Sequence, residues 1–227
     1  MIDFLYPYIK LSRSNENGIR KYLCPDGQKL PSVTTILGKT RSEDSKRALK
    51  NWKQKLGPTL SSQITHEAAS RGTRMHAFLE HFIKEDSFGN PGSNPFAQQS
   101  YRMAEKISQQ GLSKVTRYYG SEVSLYCPSL YAGTTDCVAD IDGELTIVDF
   151  KQSNHEKLDA YVEGYKQQIG AYAICHDELY GTHIRQGAIM MCTPDLIYQE
   201  WIIHEAELEK FKEIWLNNLQ IYYANYN

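Results

Sequence analysis

The stretch Gly133-Thr-Thr-Asp-Cys-Val-Ala-Asp-Ile-Asp-Gly-Glu-Leu-Thr-Ile-Val-Asp-Phe-Lys151 decides the fold of this chain. Its two halves alternate apolar and polar residues and carry β-branched side chains, as strands do. Asp142-Gly143 between the halves is typical of a tight hairpin turn. Such a turn fixes the register, and counting back along both strands brings Asp136 opposite Asp149. The sequence therefore predicts two carboxylates close together at the open end of a hairpin.

These two carboxylates need a compensating charge. Directly opposed Cβ atoms lie about 4.5–5.5 Å apart, and like charges there repel. Lys151 follows Asp149 by two residues and so shares its face of the strand. Because burying these charges costs several kcal/mol without a partner, a divalent cation is the expected compensation. The hairpin alone is equally compatible with a surface ion pair between Lys151 and either aspartate.

Upstream of the hairpin, Gly72, His76 and Glu80 are spaced four residues apart in a predicted helix over 60–86. At this spacing the three residues share one helix face. An apolar stripe beside them contains Met75, Phe78, Leu79, Phe82 and Ile83. The imidazole therefore lies at the edge of the core, where a ligand to a half-buried metal is expected. Taken alone, this pattern is more typical of a histidine at the edge of the core that makes one hydrogen bond than of a metal ligand.

Downstream of the hairpin, Gln168 and Tyr172 are also four residues apart, in a predicted helix over 157–180. Tyr161 and Tyr165 fall on the same face of that helix. A half-buried packing face with tyrosine hydroxyls at its rim accounts for this pattern when it is taken alone.

The remaining pattern completes the fold prediction. Pro25-Asp26-Gly27 predicts a small hairpin around 19–30, and Ser32 is placed to cap a short helix. Further predicted helices cover 43–56, 96–112 and 205–223, and predicted strands cover 118–126, 131–141, 145–151, 185–193 and 197–204. We expect an α/β (α+β) fold with a central mixed β-sheet flanked by helices. We expect it to form a single structural unit, with an N-terminal hairpin and helical portion over 1–114 and a core over 115–227.

Together, and in this order along the chain, the motifs indicate a protein family far more specifically than any one of them does. They resemble the RecB-like branch of the PD-(D/E)XK nuclease superfamily, with its restriction-endonuclease-like core. Within it, the chain is similar to the mitochondrial genome maintenance exonuclease family and its phage relatives, from Pro31-Ser-Val-Thr-Thr-Ile-Leu37 into the C-terminal helix. The proline that gives the superfamily its name is Thr135 here, a common variation that should not harm metal binding.

The resemblance implies a role for each motif residue. His76, Asp136 and Asp149 are expected to hold Mg²⁺ or Mn²⁺, with the Phe150 carbonyl as a further ligand. Lys151 is expected to orient the nucleophile. The remaining expected roles are these: Gln168 positions Lys151 or a phosphate, Tyr172 positions the DNA strand, and Glu80 is an outer-sphere or second-metal ligand. Glu122 is a weaker candidate, for which an exposed strand carboxylate is the favoured interpretation.

The formal net charge of −2 predicts no nucleic-acid partner, but the charge is unevenly distributed. Residues 39–55 hold seven basic and two acidic side chains. In the predicted helix over 43–56, Leu49, Trp52 and Leu56 form an apolar face expected to dock. A basic row beside it is expected to bind DNA and consists of Lys46, Arg47, Lys50 and Lys53. We expect this helix to arch over the metal site, with bases stacking on Tyr161 or Tyr165. The alternative is a solvated helix whose lysines only maintain solubility.

The composition bears on cofactors and location. The five cysteines include no Cys-x-x-Cys pair, which predicts reduced thiols and no iron–sulfur cluster. No window reaches the roughly 18 apolar residues of a membrane helix, so we expect no membrane partner. The first residues match neither a signal nor a transit peptide, and we expect a cytoplasmic location in a bacterium or a phage-infected host cell.

We expect a metal-dependent DNA exonuclease that prefers single strands. A structure-specific endonuclease of the same fold is the alternative activity. A module that binds single-stranded DNA without cutting is less favoured, because a degenerate site usually loses one of its histidine, aspartate and lysine residues. A metabolic metalloenzyme would have no use for the basic segment.

Overall fold

The computed structural model of the protein describes residues 2–226, and it confirms the expected mixed α/β fold. Three short strands come first: β1 (Ser12–Glu16), β2 (Ile19–Leu23) and β3 (Lys29–Pro31). Four helices follow: α1 (Val33–Lys39), α2 (Glu43–Leu56), α3 (Pro58–Glu85) and α4 (Pro95–Gln110). The second half contains β4 (Val115–Cys127), β5 (Tyr131–Ile141), β6 (Glu144–Gln152), α5 (Glu163–Tyr180), β7 (Gln186–Cys192), β8 (Tyr198–Ile203) and α6 (Glu205–Asn225).

The larger sheet has five strands in the order β4-β5-β6-β7-β8. Adjacent strands in this sheet are antiparallel, except β6 and β7, which run parallel. A parallel pair needs a crossover connection, and α5 supplies it. The strand that ends in Lys151 therefore lies in the middle of the sheet, with α5 packed across one face.

The predicted hairpin register is confirmed over the five residue pairs from Cys137–Val148 to Ile141–Glu144. Asp142 and Gly143 form the turn, and both have positive φ angles, of 54° and 85°. This conformation is characteristic of a two-residue hairpin loop, and glycine adopts it without strain. Asp136 and Asp149 are the next residues beyond the last backbone pair.

Alternation along the central strands divides the core into two layers. Val138 and Ile147 point to the face that α1, α5 and α6 cover. Cys137 and Val148 point to the other face, which α3 and α4 cover. Because both faces are covered, β5 is buried almost throughout its length. Among residues 2–226, no helix is long and apolar enough to cross a membrane.

Three local predictions differ from the structure. The hairpin around 19–30 is part of a three-stranded sheet, because residues 12–16 pair with β2. The helix predicted over 157–180 begins at Glu163, after a separate 3₁₀ turn at Asp159–Tyr161. The helix predicted over 60–86 begins two residues earlier, at Pro58, since proline lacks an N–H that the first turn would leave unpaired anyway.

Candidate metal and phosphate site

The site is built around Asp136, which lies on β5 and is 9% exposed. One carboxylate oxygen, Oδ1, lies 3.0 Å from Nδ1 of His76 on α3. The other, Oδ2, accepts the backbone N–H of Phe150 at 2.6 Å. Burial raises the pKa of Asp136, but His76, Lys151 and the Phe150 N–H outweigh it and hold the pKa below its usual value. Asp136 is therefore an ionised carboxylate fixed in one orientation.

Asp149 and Lys151 form a buried ion pair on β6. Their side chains are 2% and 18% exposed, and the Lys151 ammonium contacts Oδ2 of Asp149. Gln168 on α5 links the two groups, because its Nε2 donates to Asp149 Oδ1 at 3.0 Å and its Oε1 accepts from Lys151 at 3.3 Å. The Tyr172 hydroxyl accepts from the same Nε2 at 3.3 Å. Gln168 thus contacts both members of the pair, and its role in positioning Lys151 or a phosphate stays a prediction.

The charges of this pair are set by opposing effects. Burial raises the pKa of Asp149 to about 6 and Asp136 adds to the increase, although Lys151 acts against both. Burial lowers the pKa of Lys151, but Asp149 and Asp136 reverse the change and raise it. Lys151 therefore stays protonated at neutral pH and compensates the Asp149 carboxylate. Without a further cation, the negative charge of the buried carboxylates destabilises the folded protein.

Glu122 completes the cluster from β4. Its neighbours Ser121 and Val123 pair with Cys137 and Thr135, so Glu122 lies across from Asp136. Ligand atoms of His76, Glu122 and Asp136 all lie within 4.8 Å of one another. Burial of the carboxylate, followed by repulsion from Asp136, raises the pKa of Glu122 to about 7. Glu122 as a whole is exposed, as the sequence predicts for a strand carboxylate. Its carboxylate nevertheless lies close to the predicted ligands His76 and Asp136.

This group of ligand atoms fits a divalent cation. Two carboxylates and an imidazole are suitable donors for Mn²⁺, and carboxylates alone suit Mg²⁺. Oδ2 of Asp149 is buried and contacts the Lys151 ammonium. The expected ligand Asp149 falls outside the His76–Glu122–Asp136 group, because its oxygens face Gln168 and Lys151 instead. The Phe150 carbonyl as a ligand remains a prediction.

The other expected site residues lie at different distances from this centre. Glu80 pairs with Lys84 one turn further along α3, and its charge contributes to the raised pKa of Glu122. Tyr172 is 2% exposed and packs against Gly133, where an added Cβ would lie 2.6 Å from its ring. With its ring almost entirely buried, Tyr172 is placed to act on a strand through its neighbours, and its role in positioning the DNA strand stays a prediction.

The predicted strand-binding residues lie at the surface. Tyr165 is half-buried, and its ring lies 4.9 Å from the Lys151 ammonium. Tyr161 is 70% exposed and belongs to the 3₁₀ turn rather than to α5. No α2 residue is fully buried: Trp52 and Leu56 are half-buried, and Leu49 is 39% exposed. Helix α2 contacts α3, the next helix in the chain, and docking by its apolar face stays a prediction.

The basic residues of α2 differ in their partners. Lys46 pairs with Glu43 at 2.7 Å, and Arg47 pairs with Asp44. Within residues 2–226, no carboxylate lies at ion-pair distance from Lys50 or Lys53. These two lysines therefore have their full charge available to a polyanion.

The sequence patterns do not identify two further basic residues near the site. Arg71 on α3 donates to Asn154 Oδ1 at 2.8 Å and to Gln152 Oε1 at 3.3 Å, at the end of β6 and just past it. Burial raises the pKa of the Tyr165 hydroxyl, and the positive charges of Lys151 and Arg41 act against that increase. Arg71 directly precedes Gly72, where an added Cβ would lie 3.3 Å from Gln152. That close approach favours glycine at the first position of the Gly72–His76–Glu80 motif.

The chain is similar to curated proteins named as exonucleases, although no model of a known protein family matches it. Mitochondrial genome maintenance exonuclease 1 of Homo sapiens is 27% identical over a match covering 85% of this chain, and that of Xenopus tropicalis is 27% identical over 81%. The expected family resemblance is confirmed. The chain spans 58% of the length of each of these two relatives.

A solved structure supports the fold. A protein from Eubacterium rectale, assigned as an exonuclease, superposes with a TM-score of 0.50 at 17% sequence identity. The match covers 70% of this chain and 65% of that one. At this identity the likeness shows a shared fold.

Proposed function

We propose that the protein is a metal-dependent deoxyribonuclease, and specifically an exonuclease that prefers single-stranded DNA. The observation that carries the proposal is the buried Asp149–Lys151 pair beside the Asp136–His76 contact. Two acids and a protonated lysine converge at the end of a central hairpin, next to an imidazole. The similarity to proteins named as exonucleases supports the same activity.

Asp136, His76 and Glu122 are the residues that would hold the cation, with Asp149 next to them. A bound Mg²⁺ or Mn²⁺ would supply Lewis acidity to a phosphate ester and lower the pKa of water. The chain fixes the ligands in advance. Asp136 is held by the Phe150 N–H and by His76, so little reorganisation is needed when a cation binds.

Lys151 would act on the phosphate and on the attacking water. Its pKa is raised by Asp149 and Asp136, so it carries a positive charge at neutral pH. A fixed positive charge stabilises negative charge that develops on phosphate oxygens in the transition state. Gln168 and the Tyr165 ring hold the ammonium in place from two directions. Tyr172 would act through Gln168, because its hydroxyl accepts a hydrogen bond from that amide.

Helix α2 supports a path for the DNA strand. It has no fully buried residue, and among residues 2–226 no carboxylate pairs with its Lys50 or Lys53. A basic helix that stands away from the sheet core leaves room for a flexible chain with a free end beneath it. A duplex or a closed circle enters such a space less easily, which accounts for the proposed preference.

End-labelled oligonucleotides test the proposal directly. Single-stranded linear, double-stranded linear and circular single-stranded DNA are incubated with Mg²⁺, Mn²⁺ or EDTA, with Asp149→Asn as the matched inactive control. We expect the linear single strand to be shortened from an end only with metal and only by the wild type. Cutting of the circle would establish the endonuclease alternative. Metal-independent binding without cutting would establish the binding-module alternative.

A further inference from the structure

The N-terminal segment, residues 2–11, lies beside β4, an edge strand of the larger sheet. Asp3 donates its backbone N–H to the Tyr118 carbonyl at 2.7 Å. Further along, the backbone N–H of Leu11 donates to Oγ of Ser124 at 3.3 Å. The segment is therefore attached to β4 at two points, and the part of β4 between them is the part that reaches the candidate metal site.

Tyr8 packs directly on the backbone of β4 between these two points. A Cβ added at Gly120 would lie 2.8 Å from the Tyr8 ring and 2.4 Å from the Val123 side chain, so no larger residue fits there without a shift. Gly120 precedes Glu122 by two residues, and Val123 follows Glu122 directly. The Tyr8 ring thus contacts the chain immediately before the proposed carboxylate ligand.

A chain of hydrogen bonds holds Tyr8 to α5. Its hydroxyl lies 2.8 Å from Nε2 of His176, which is completely buried. Nδ1 of His176 lies 2.8 Å from Oγ1 of Thr182, which donates in turn to Oδ1 of Asp177 at 2.8 Å. Because the Thr182 hydroxyl donates to the carboxylate, it accepts from His176, and Nε2 is left to accept from Tyr8. Burial lowers the pKa of His176 to about 4, which agrees with a neutral ring at pH 7.

The backbone of Glu122 needs support of this kind. Its φ is 52°, in the left-handed region that residues with a side chain adopt rarely. Such a conformation persists only where the surrounding contacts determine it. Relaxation to an extended conformation would turn the Glu122 carboxylate away from His76 and Asp136, whose ligand atoms now lie within 4.8 Å of its own.

We propose that Tyr8 is a positioning residue for Glu122, and through it for the cation that Glu122, His76 and Asp136 would hold. Tyr8 acts on the backbone at Gly120 and not on the cation itself. Its bond to α5 keeps the ring in place, and the ring keeps this part of β4 in the conformation that turns the carboxylate towards Asp136. This role rests on the proposed function, because it requires Glu122 to be a metal ligand.

A double-variant cycle tests the role of Tyr8 through Mn²⁺ affinity, measured by titration calorimetry in the absence of DNA. Tyr8→Phe removes the hydroxyl that donates to His176 and should weaken Mn²⁺ binding by about five-fold, the ratio that corresponds to one net hydrogen bond. In the Glu122→Gln background the same change should have no further effect, because the two residues act as a unit. Tyr6→Phe, in the same aromatic cluster, is the control and should bind Mn²⁺ as the wild type does.

Gly120→Ala perturbs the same contact from β4. The added methyl group should displace Tyr8 or Val123, so Mn²⁺ binding should weaken at least as much as in Tyr8→Phe. This loss should likewise disappear when Glu122 is replaced by glutamine. Gly38→Ala, where an added Cβ meets nothing within 4 Å, is the control and should leave Mn²⁺ binding unchanged.

Hydrogen exchange in EDTA provides a measurement that needs neither metal nor nuclease activity. The backbone amides of residues 120–123 should exchange about five-fold faster in Tyr8→Phe than in Tyr6→Phe, and equal rates would overturn the proposal. An unchanged Mn²⁺ affinity in Tyr8→Phe, or an equal loss with Glu122→Gln present, overturns the role of Tyr8 alone. A wild type that binds no Mn²⁺ overturns the proposed metal site and this role with it.

Discussion

Phe150 donates its backbone N–H to the side-chain carboxylate of Asp136 at 2.6 Å, across the gap between β6 and β5. The bond lies just beyond the last backbone pair of the hairpin, Cys137–Val148. A side chain thus satisfies an N–H at the point where the ladder ends, as buried backbone donors require. The same bond fixes the carboxylate, which leaves its second oxygen to His76. The end of the β5–β6 pairing therefore also positions a carboxylate of the candidate metal site.

The first prediction concerns Lys151. Lys151→Ala should abolish cleavage, because it removes the charge that faces the phosphate. It should also lower the free energy of unfolding at pH 8 by about 3 kcal/mol, since it leaves the Asp149 carboxylate buried without its cation. Urea denaturation in EDTA and gel assays of the same preparation measure both effects.

The matched control for this prediction is the double variant Asp149→Asn with Lys151→Met. It removes both charges, so the unfolding free energy should return close to that of the wild type while cleavage stays absent. Full activity in either variant would contradict the assigned role of the pair. A double variant as unstable as Lys151→Ala would show that packing, not charge, governs the destabilisation.

The second prediction concerns the pH dependence of stability in EDTA. The pKa of Asp149 is raised to about 6 in the folded protein, against about 3.9 in an unfolded chain. Between these values the folded state binds more protons, so the contribution of Asp149 to stability is lost as pH rises from about 4 to 6. The wild type should therefore lose more unfolding free energy over this interval than Asp149→Asn does. Parallel urea-denaturation curves for the two proteins would contradict the raised pKa.

The third prediction concerns Glu122. If it is a ligand, Glu122→Gln should weaken Mn²⁺ binding by at least about 10–100-fold. Removing a residue that only supports a ligand already has an effect of this size. Because the pKa of Glu122 is about 7 in the absence of metal, Mn²⁺ binding at pH 7 should also release protons. Titration calorimetry in two buffers of different ionisation enthalpy measures affinity and proton release together. Glu144→Gln, at a solvent-accessible carboxylate beside the turn of the same sheet, is the control, and equal affinities in both variants would exclude Glu122 as a ligand.

The hairpin and its site could be predicted because local rules dominate there. Asp142-Gly143 fixes the turn, the turn fixes the register, and the register places Asp136 and Asp149. Helix α2 likewise begins at Ser42 with a side-chain cap and ends before Gly57, which has a φ of 78°. In these segments neighbours in sequence determine the structure.

The roles of Glu122 and Asp149 depend on contacts between distant segments. Glu122 has a positive φ of 52°, unusual for a non-glycine residue, and it reaches the site through the pairing of β4 with β5. No local pattern predicts that pairing. Asp149 turns towards Gln168 and Lys151 because β6 and α5 pack together, which depends on the crossover to β7. The apolar face of α2 is only partly covered, because its extent of burial depends on the contact with α3 and not on the local sequence pattern.

The fourth prediction concerns His76. Metal binding requires a neutral imidazole, and although burial acts against it, Asp136 raises the pKa of His76 above its usual value. Protons should therefore begin to compete with Mn²⁺ at a higher pH than an ordinary histidine would require. Mn²⁺ affinity measured against pH should show this, and cleavage by His76→Ala should be partly restored by added Mn²⁺. His66→Ala, at an exposed histidine on the same helix, is the control and should bind Mn²⁺ as the wild type does.

The final prediction concerns how a chain of net charge −2 binds a polyanion. Lys50 and Lys53 have no carboxylate partner within residues 2–226, whereas Lys46 and Arg47 are paired on the same helix. Lys50→Ala combined with Lys53→Ala should therefore weaken single-strand binding regardless of DNA sequence. The slope of log K against log salt should become shallower by about 0.7 for each phosphate that the variant no longer neutralises. Fluorescence anisotropy with Ca²⁺ in place of the catalytic metal measures both quantities.

The control for the lysine variant removes the same amount of charge elsewhere. Lys10 and Lys210 are exposed and lie on other segments of the chain. Lys10→Ala combined with Lys210→Ala changes the net charge equally but removes nothing from α2. If binding depends on net charge alone, the two double variants should behave alike. If α2 forms the strand path, only the Lys50 and Lys53 variant should lose affinity and salt dependence, and exonuclease cleavage of long single strands should slow in the same variant.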